Sequence, residues 1–141
     1  DESGGISYDA VNHENMTRIR ADKVQAIAKS LPPTEINGPA SGKLLVLGWG
    51  GTYGAITSAV NRLQSEGFSV SSVVLRYLNP LPLDLGDILS RFEKILIPEL
   101  NLGQLRLLIQ GHYIRETIGF NKIQGRPFTV GEMVNKIQEL L

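Results

Sequence analysis

Apolar and polar positions change rhythm at about residue 43. Before it, Met16, Ile19, Val24, Ile27 and Leu31 recur near a helical period among charged neighbours. That spacing predicts a solvent-facing helix over residues 12–30 with one apolar stripe. Pro32 and Pro33 end it, because proline lacks the amide donor and restricts the residue before it. "PPTEINGPASGK", residues 32–43, reads as a linker, and the polar, glycine-containing "DESGGISYDAV" at the start as an extended lead-in.

After Lys43, short apolar runs alternate with amphipathic stretches four times over. Leu44–Leu47 suits a strand buried on both faces. Ile56, Ala59, Val60 and Leu63 fall at i, i+3, i+4, i+7, and Gly67 stands where a helix C-terminus favours glycine. Val70–Leu75 is the second strand. Asp84 is placed to cap a helix carrying Leu85, Ile88, Leu89 and Phe92. Lys94–Ile97 is a third strand, stopped by Pro98. Asn101 is placed to cap a helix to about Ile114 with Leu105, Leu108 and Ile109 inward, and Ile118–Ile123 is a fourth strand. Thr129 and Glu132 form a T-V-G-E capping box opening a helix with Val130, Met133, Val134, Ile137 and Leu141 on one side.

The alternation predicts an α/β fold: a three-layer α/β/α domain on a mostly parallel sheet of four to five strands, with right-handed crossovers. The division expected is 1–43 for lead-in, helix and interdomain linker, and 44–141 for the α/β domain. At 141 residues, with 42% hydrophobic and 20% charged residues, one core in a soluble domain is expected. Fourteen basic residues balance fourteen acidic ones, so no net field draws the chain to nucleic acid or an anionic membrane. No apolar run reaches the roughly 20 residues that span a bilayer, and no signal peptide is evident, which makes a cytoplasmic setting the default. The absence of cysteine removes disulfides, thiolate nucleophiles and Cys-ligated iron–sulfur clusters. A start at Asp1 rather than Met suggests a piece of something larger.

"LLVLGWGGTYGAI", Leu44 to Ile56, is the stretch closest to a nucleotide motif. Gly48, Gly50 and Gly54 give G-x-G-x-x-x-G, one residue longer than the dinucleotide fingerprint, and no acid follows the second strand to grip a ribose. A P-loop is absent as well. What survives is placement: ligands and partners meet an open parallel sheet at the carboxyl ends of its strands. That edge would gather Gly50, Gly51 and Thr52, whose amides at a helix start suit a carboxylate or phosphate, with Arg76, Asn79, Glu99, Asn101, Lys122 and Gln124. Trp49 is a candidate interface anchor or a lid over the core edge. The other reading is that these residues cap helices and face a neighbouring domain. His13 and His112 stand 99 positions apart without a ligand partner at metal spacing, and no serine lies in a nucleophile elbow. No catalytic residue and no metal site are expected.

"LLVLGWGGTYGAI", "LRYLNPLPLDL", "ILIPELNLGQL", "KIQGRPFTVGEM" and the upstream "YDAVNHENMTRIRADKV" together resemble the C-terminal region of the alpha subunit of 2-oxoacid:ferredoxin oxidoreductases, most closely the 2-oxoglutarate type. The resemblance covers nearly the whole chain, in order. It implies a transketolase C-terminal-like domain behind a thiamine-diphosphate pyrimidine-binding domain, within an enzyme (EC class 1.2.7) that oxidatively decarboxylates 2-oxoglutarate to succinyl-coenzyme A and reduces ferredoxin. Partners would be the rest of the alpha subunit, a beta subunit and ferredoxin. Thiamine diphosphate, Mg and an iron–sulfur cluster would be bound elsewhere in that complex, and the piece alone would be inactive. The alternative is a free-standing nucleotide- or coenzyme-A-binding module using the loop Gly48 to Thr52.

Overall fold

A computed structural model describes residues 3–141. The chain divides into two compact units, one holding residues through Pro33 together with Tyr77–Leu83, the other Thr34–Arg76 and Asp84–Leu141. The first unit is dominated by α1, Ala10–Ala26, which Asp9 caps by accepting the Asn12 amide at 2.7 Å. A 3₁₀ turn, Ile27–Ser30, follows. Helix α1 therefore starts two residues before the expected position and changes character before the prolines. Val11 and Ile19 on it are exposed.

In the second unit four strands form one parallel sheet: β1, Gly42–Trp49; β2, Ser71–Leu75; β3, Phe92–Glu99; and β4, Ile118–Asn121, in spatial order β2-β1-β3-β4. Helices α2, Tyr53–Ser65; α3, Leu85–Ser90; α4, Gln104–Tyr113; and α5, Val130–Gln138, complete the alternation. Side chains alternate across a strand, so β1 and β3 feed both faces. Leu44, Val46 and Leu96 join Ile56, Ala59, Val60 and Leu63 of α2 and Met133, Val134 and Ile137 of α5 in one core. Leu45, Leu47, Ile95 and Ile97, also fully buried, face the other side, where α3 and α4 pack on β3. These are the three layers that the sequence pattern implies.

Several expectations need correction. Pro98 does not stop β3; it lies inside the strand, in register with Phe120 of β4. Ladder pairing between β1 and β3 ends at Val46–Leu96, so the missing proline amide costs no ladder bond. Phe92 is buried, but as the first residue of β3. Asp84 stands at the N-cap position of α3, as expected, but its side chain makes no cap bond: the carboxylate accepts Thr34 N at 2.7 Å and Thr34 Oγ1 at 2.6 Å. Those hydrogen bonds hold its pKa below the usual carboxylate value, although burial works against them as the largest single influence. Leu108 is partly exposed while Leu105 and Ile109 are buried, so α4 turns Leu108 to its flank. Between the prolines and β1, Asn37 and Ser72 exchange backbone hydrogen bonds at 2.9 Å and Ser71 Oγ donates to Pro39 O at 2.6 Å, which lays this segment beside β2.

Candidate functional site

In the order β2-β1-β3-β4 the chain leaves β1 for one side of the sheet and later crosses to the other, so the switch of direction lies between the carboxyl ends of β1 and β3. A doubly wound sheet opens its ligand crevice at such a point. The glycine corner and the Glu99–Asn101 loop stand there.

The corner is built by three residues. Gly48 lies where an added Cβ would run into the Ile56 Cδ1 methyl and stand 2.8 Å from Thr52 Oγ1, so glycine lets α2 sit tightly on β1. Thr52, buried, donates from Oγ1 to Trp49 O at 2.8 Å and accepts Trp49 N at 3.3 Å. Gly50 takes φ +55°, a left-handed value that favours glycine. Gly54, the third glycine of the motif, would meet nothing within 4 Å as alanine. Close helix–strand packing is thus assigned to the first glycine rather than the last, unlike a dinucleotide fold.

Across the crevice Glu99 is completely buried. Its carboxyl group accepts the backbone amides of Leu105 at 2.7 Å and Arg106 at 3.1 Å, and the Trp49 indole N–H at 3.4 Å. The first amides of a helix have no partner within it, and Glu99 supplies one from the preceding strand. Asn101 adds a second acceptor, its side-chain oxygen taking Gly103 N at 2.7 Å and Gln104 N at 3.1 Å. Its carbonyl in turn accepts Asn121 Nδ2 at 2.7 Å from β4. Asn101 does therefore engage the start of α4, though Gly103, at φ +97°, is the residue at the boundary.

The candidates from the sequence accordingly separate. Trp49, Thr52, Glu99 and Asn101 come together at the β1–β3 junction, where Thr52, Glu99 and Asn101 turn their polar side-chain atoms inward onto their own loop and helix. Gly50 and Gly51 are exposed at the 3₁₀ turn that opens α2, and Arg76 is exposed after β2. No ion pair or hydrogen bond holds the Arg76 side chain among the described residues. Lys122 is engaged, donating to both Glu132 oxygens at 2.8 Å and to Pro127 O at 3.0 Å. Gln124 is exposed, and Asn79 belongs to the first unit. Glu99 stands at the edge that the sequence predicts, but buried; the sign of this in the sequence is an apolar run, "ILIP", leading straight into a glutamate before a helix start.

No helix among the described residues is long and apolar enough to cross a membrane. No group of three or more His, Cys, Asp or Glu suited to a metal ion occurs among them.

No protein-family model matches the chain. The 2-oxoglutarate oxidoreductase subunit KorA of Mycobacterium tuberculosis is 39% identical over 140 residues, which are 99% of this chain and 21% of that protein. A solved structure of the 2-oxoglutarate:ferredoxin oxidoreductase of Magnetococcus marinus, with 2-oxoglutarate, coenzyme A and succinyl-CoA bound, superposes with a TM-score of 0.91 at 30% identity, covering 99% of this chain and 25% of that one. An inactive beta4 tetramer of a split-gene transketolase aligns over 77% of this chain and 41% of its own, with a TM-score of 0.58 at 16% identity, a likeness of fold alone. The chain spans about a fifth of the length of the curated relatives it matches. Over its whole length the chain is homologous to one part of the alpha subunits of 2-oxoacid:ferredoxin oxidoreductases, and it carries a transketolase-like α/β fold.

Proposed function

We propose that the chain is the non-catalytic C-terminal assembly domain of the alpha subunit of a thiamine-diphosphate-dependent 2-oxoacid:ferredoxin oxidoreductase, with 2-oxoglutarate as the oxoacid. The observation that carries this reading is the match along 99% of the chain to a quarter of a solved oxidoreductase chain, at a TM-score of 0.91. On this reading the rest of the alpha subunit, a beta subunit and ferredoxin are the partners of the chain, and its setting is the cytoplasm.

The residues present do not fit an iron–sulfur cluster, and the start of α4 does not fit a diphosphate. An iron–sulfur cluster needs thiolates, and the chain has no cysteine. A diphosphate favours a helix N-terminus, yet the N-terminus of α4 is already filled by the buried carboxyl group of Glu99. Thiamine diphosphate, Mg and the cluster belong elsewhere in the complex. What this chain offers at its carboxyl edge is a braced surface, with Trp49 and Glu99 joining the two central strands and Gly50, Gly51 and Arg76 facing out toward a neighbouring domain or a small anion.

Calorimetric titration with thiamine diphosphate tests the reading: the expected heat is no larger than that of an unrelated control protein, and tight binding would overturn it. A thermal-shift panel of NAD, FMN, ATP and coenzyme A is expected to show no rise. A rise for one ligand that disappears in Gly51→Val would establish the free-standing binding module instead.

A further inference from the structure

Helix α4 presents an outward face that its own unit leaves bare. Leu107 and Gly111 stand at i and i+4 of α4, the spacing of one helix face, opposite the buried Leu105 and Ile109, and Ile114 follows just past the helix end. Leu107 is 69% and Ile114 94% exposed, with Leu108 at 40% on the flank. Gly111 lies inside the helix with nothing within 4 Å of an added Cβ, so no packing within the chain calls for a glycine there, although glycine is a poor helix former. Ile114 has φ +49°, a left-handed conformation that is a true outlier for a β-branched residue and belongs to glycine at a helix end. Three features that each disfavour the free unit thus lie at the exposed surface of α4 and its C-terminal end: exposed leucine, unneeded glycine and strained isoleucine.

The face is also free of charge. From Leu100 to Ile114 the only formally charged side chain is Arg106, and its guanidinium lies 3.1 Å from where a Cβ on Gly119 would stand, against β4 rather than on the outward face. Uncharged, apolar surface of this kind belongs to permanent interfaces. Size then selects the occupant. A stable complex between separate molecules takes about 20–30 residues a side, far more than one face of a ten-residue helix supplies, whereas contacts between domains of one chain are smaller. The relatives are almost five times as long as this chain, which leaves ample polypeptide to cover the face.

From these observations, and resting on the proposed function, we infer that Leu107, Gly111 and Ile114 form a docking face for another domain of the same alpha subunit, with Gly111 allowing that domain close approach and Ile114 held outward as the anchor. The chain contains no cysteine, so Leu107→Cys introduces a thiol whose peptide is unambiguous in mass spectrometry. Its alkylation by iodoacetamide is followed in the 141-residue chain and in the full-length alpha subunit, first alone and then assembled with its beta subunit, each relative to the urea-unfolded protein. The expected result is near-unfolded reactivity in the short chain and protection of about tenfold or more in the subunit, since thiol reactivity follows exposure. Equal reactivity in the short chain and the alpha subunit overturns the inference, as does protection that arises only when the beta subunit is added. Protection in the short chain that grows with concentration also overturns it, assigning the face to a second copy. Turnover of 2-oxoglutarate by the same assembled complex is measured in parallel, so a failed functional reading shows as lost turnover and a failed docking face as an unprotected thiol in an active enzyme.

Discussion

Glu99 and Gly48 hold the carboxyl edge together from opposite sides. Glu99 is the acceptor for two helix-start amides and the Trp49 indole in a fully buried setting, so truncation leaves buried donors unpaired. Glu99→Ala is expected to lower unfolding stability by about 1–3 kcal/mol, read by urea denaturation with the single tryptophan as probe; an unchanged midpoint would contradict the assigned role. At Gly48 a methyl group meets Ile56 and Thr52, and Gly48→Ala is expected to cost about 1–3 kcal/mol by overpacking in the same assay. Ile114 works in the other direction. Because its left-handed backbone disfavours a β-branched side chain, Ile114→Gly is expected to raise the stability of the isolated chain by about 1 kcal/mol, whereas a drop would mean the side chain packs within the chain. Glycine positions were visible in the sequence; which of them is sterically required was not, because that depends on the approach of α2 to β1, a distance no local pattern encodes.

Among the elements, those whose ends carry local chemistry were the easiest to read. Gly67 ends α2 as expected: at φ +89°, its amide bonds to Gln64 O at 3.0 Å while Phe68 N reaches Leu63 O at 2.9 Å, the paired bonds of a Schellman motif. Thr129 and Glu132 form the expected capping box of α5, with Thr129 N donating to Glu132 at 2.7 Å and Glu132 N to Thr129 Oγ1 at 3.2 Å. Lys122 adds two charge-assisted bonds and sits 5.8 Å from the Phe128 ring centre. Hydrogen bonds from Lys122, first, and from Thr129 lower the Glu132 pKa from 4.5 to about 2. A carboxyl group whose pKa falls on folding stabilises the fold above its unfolded pKa and loses that contribution as pH drops through the folded value. Stability is therefore expected to decline between pH 4.5 and 2 and, in Glu132→Gln, to lose that part of the decline, as followed by thermal unfolding across that range; identical profiles would contradict the linkage. Elements set by distant partners were harder: Asp84 takes the N-cap position of α3 but its side chain bonds to Thr34, fifty residues away, and Pro98 resembled a stop but lies where the β1 ladder has already ended.

At the scale of the whole chain, the four-fold alternation was enough to read the three layers and the parallel sheet, because both follow from periodicity and crossover handedness. The direction switch at the β1–β3 junction was not readable, since strand order does not follow from strand number. Nor was the inward turn of Glu99 and Asn101 onto the amides at the start of α4. The central claim, that this domain completes a 2-oxoacid:ferredoxin oxidoreductase without supplying its catalytic groups, is tested most directly by turnover of the assembled enzyme. The 2-oxoglutarate- and coenzyme-A-dependent reduction of ferredoxin is measured for the full-length alpha subunit with its beta subunit, for the same complex lacking these 141 residues, and for the chain alone. Activity is expected only in the first; undiminished turnover without the domain, or turnover by the domain alone, would contradict an assembly role.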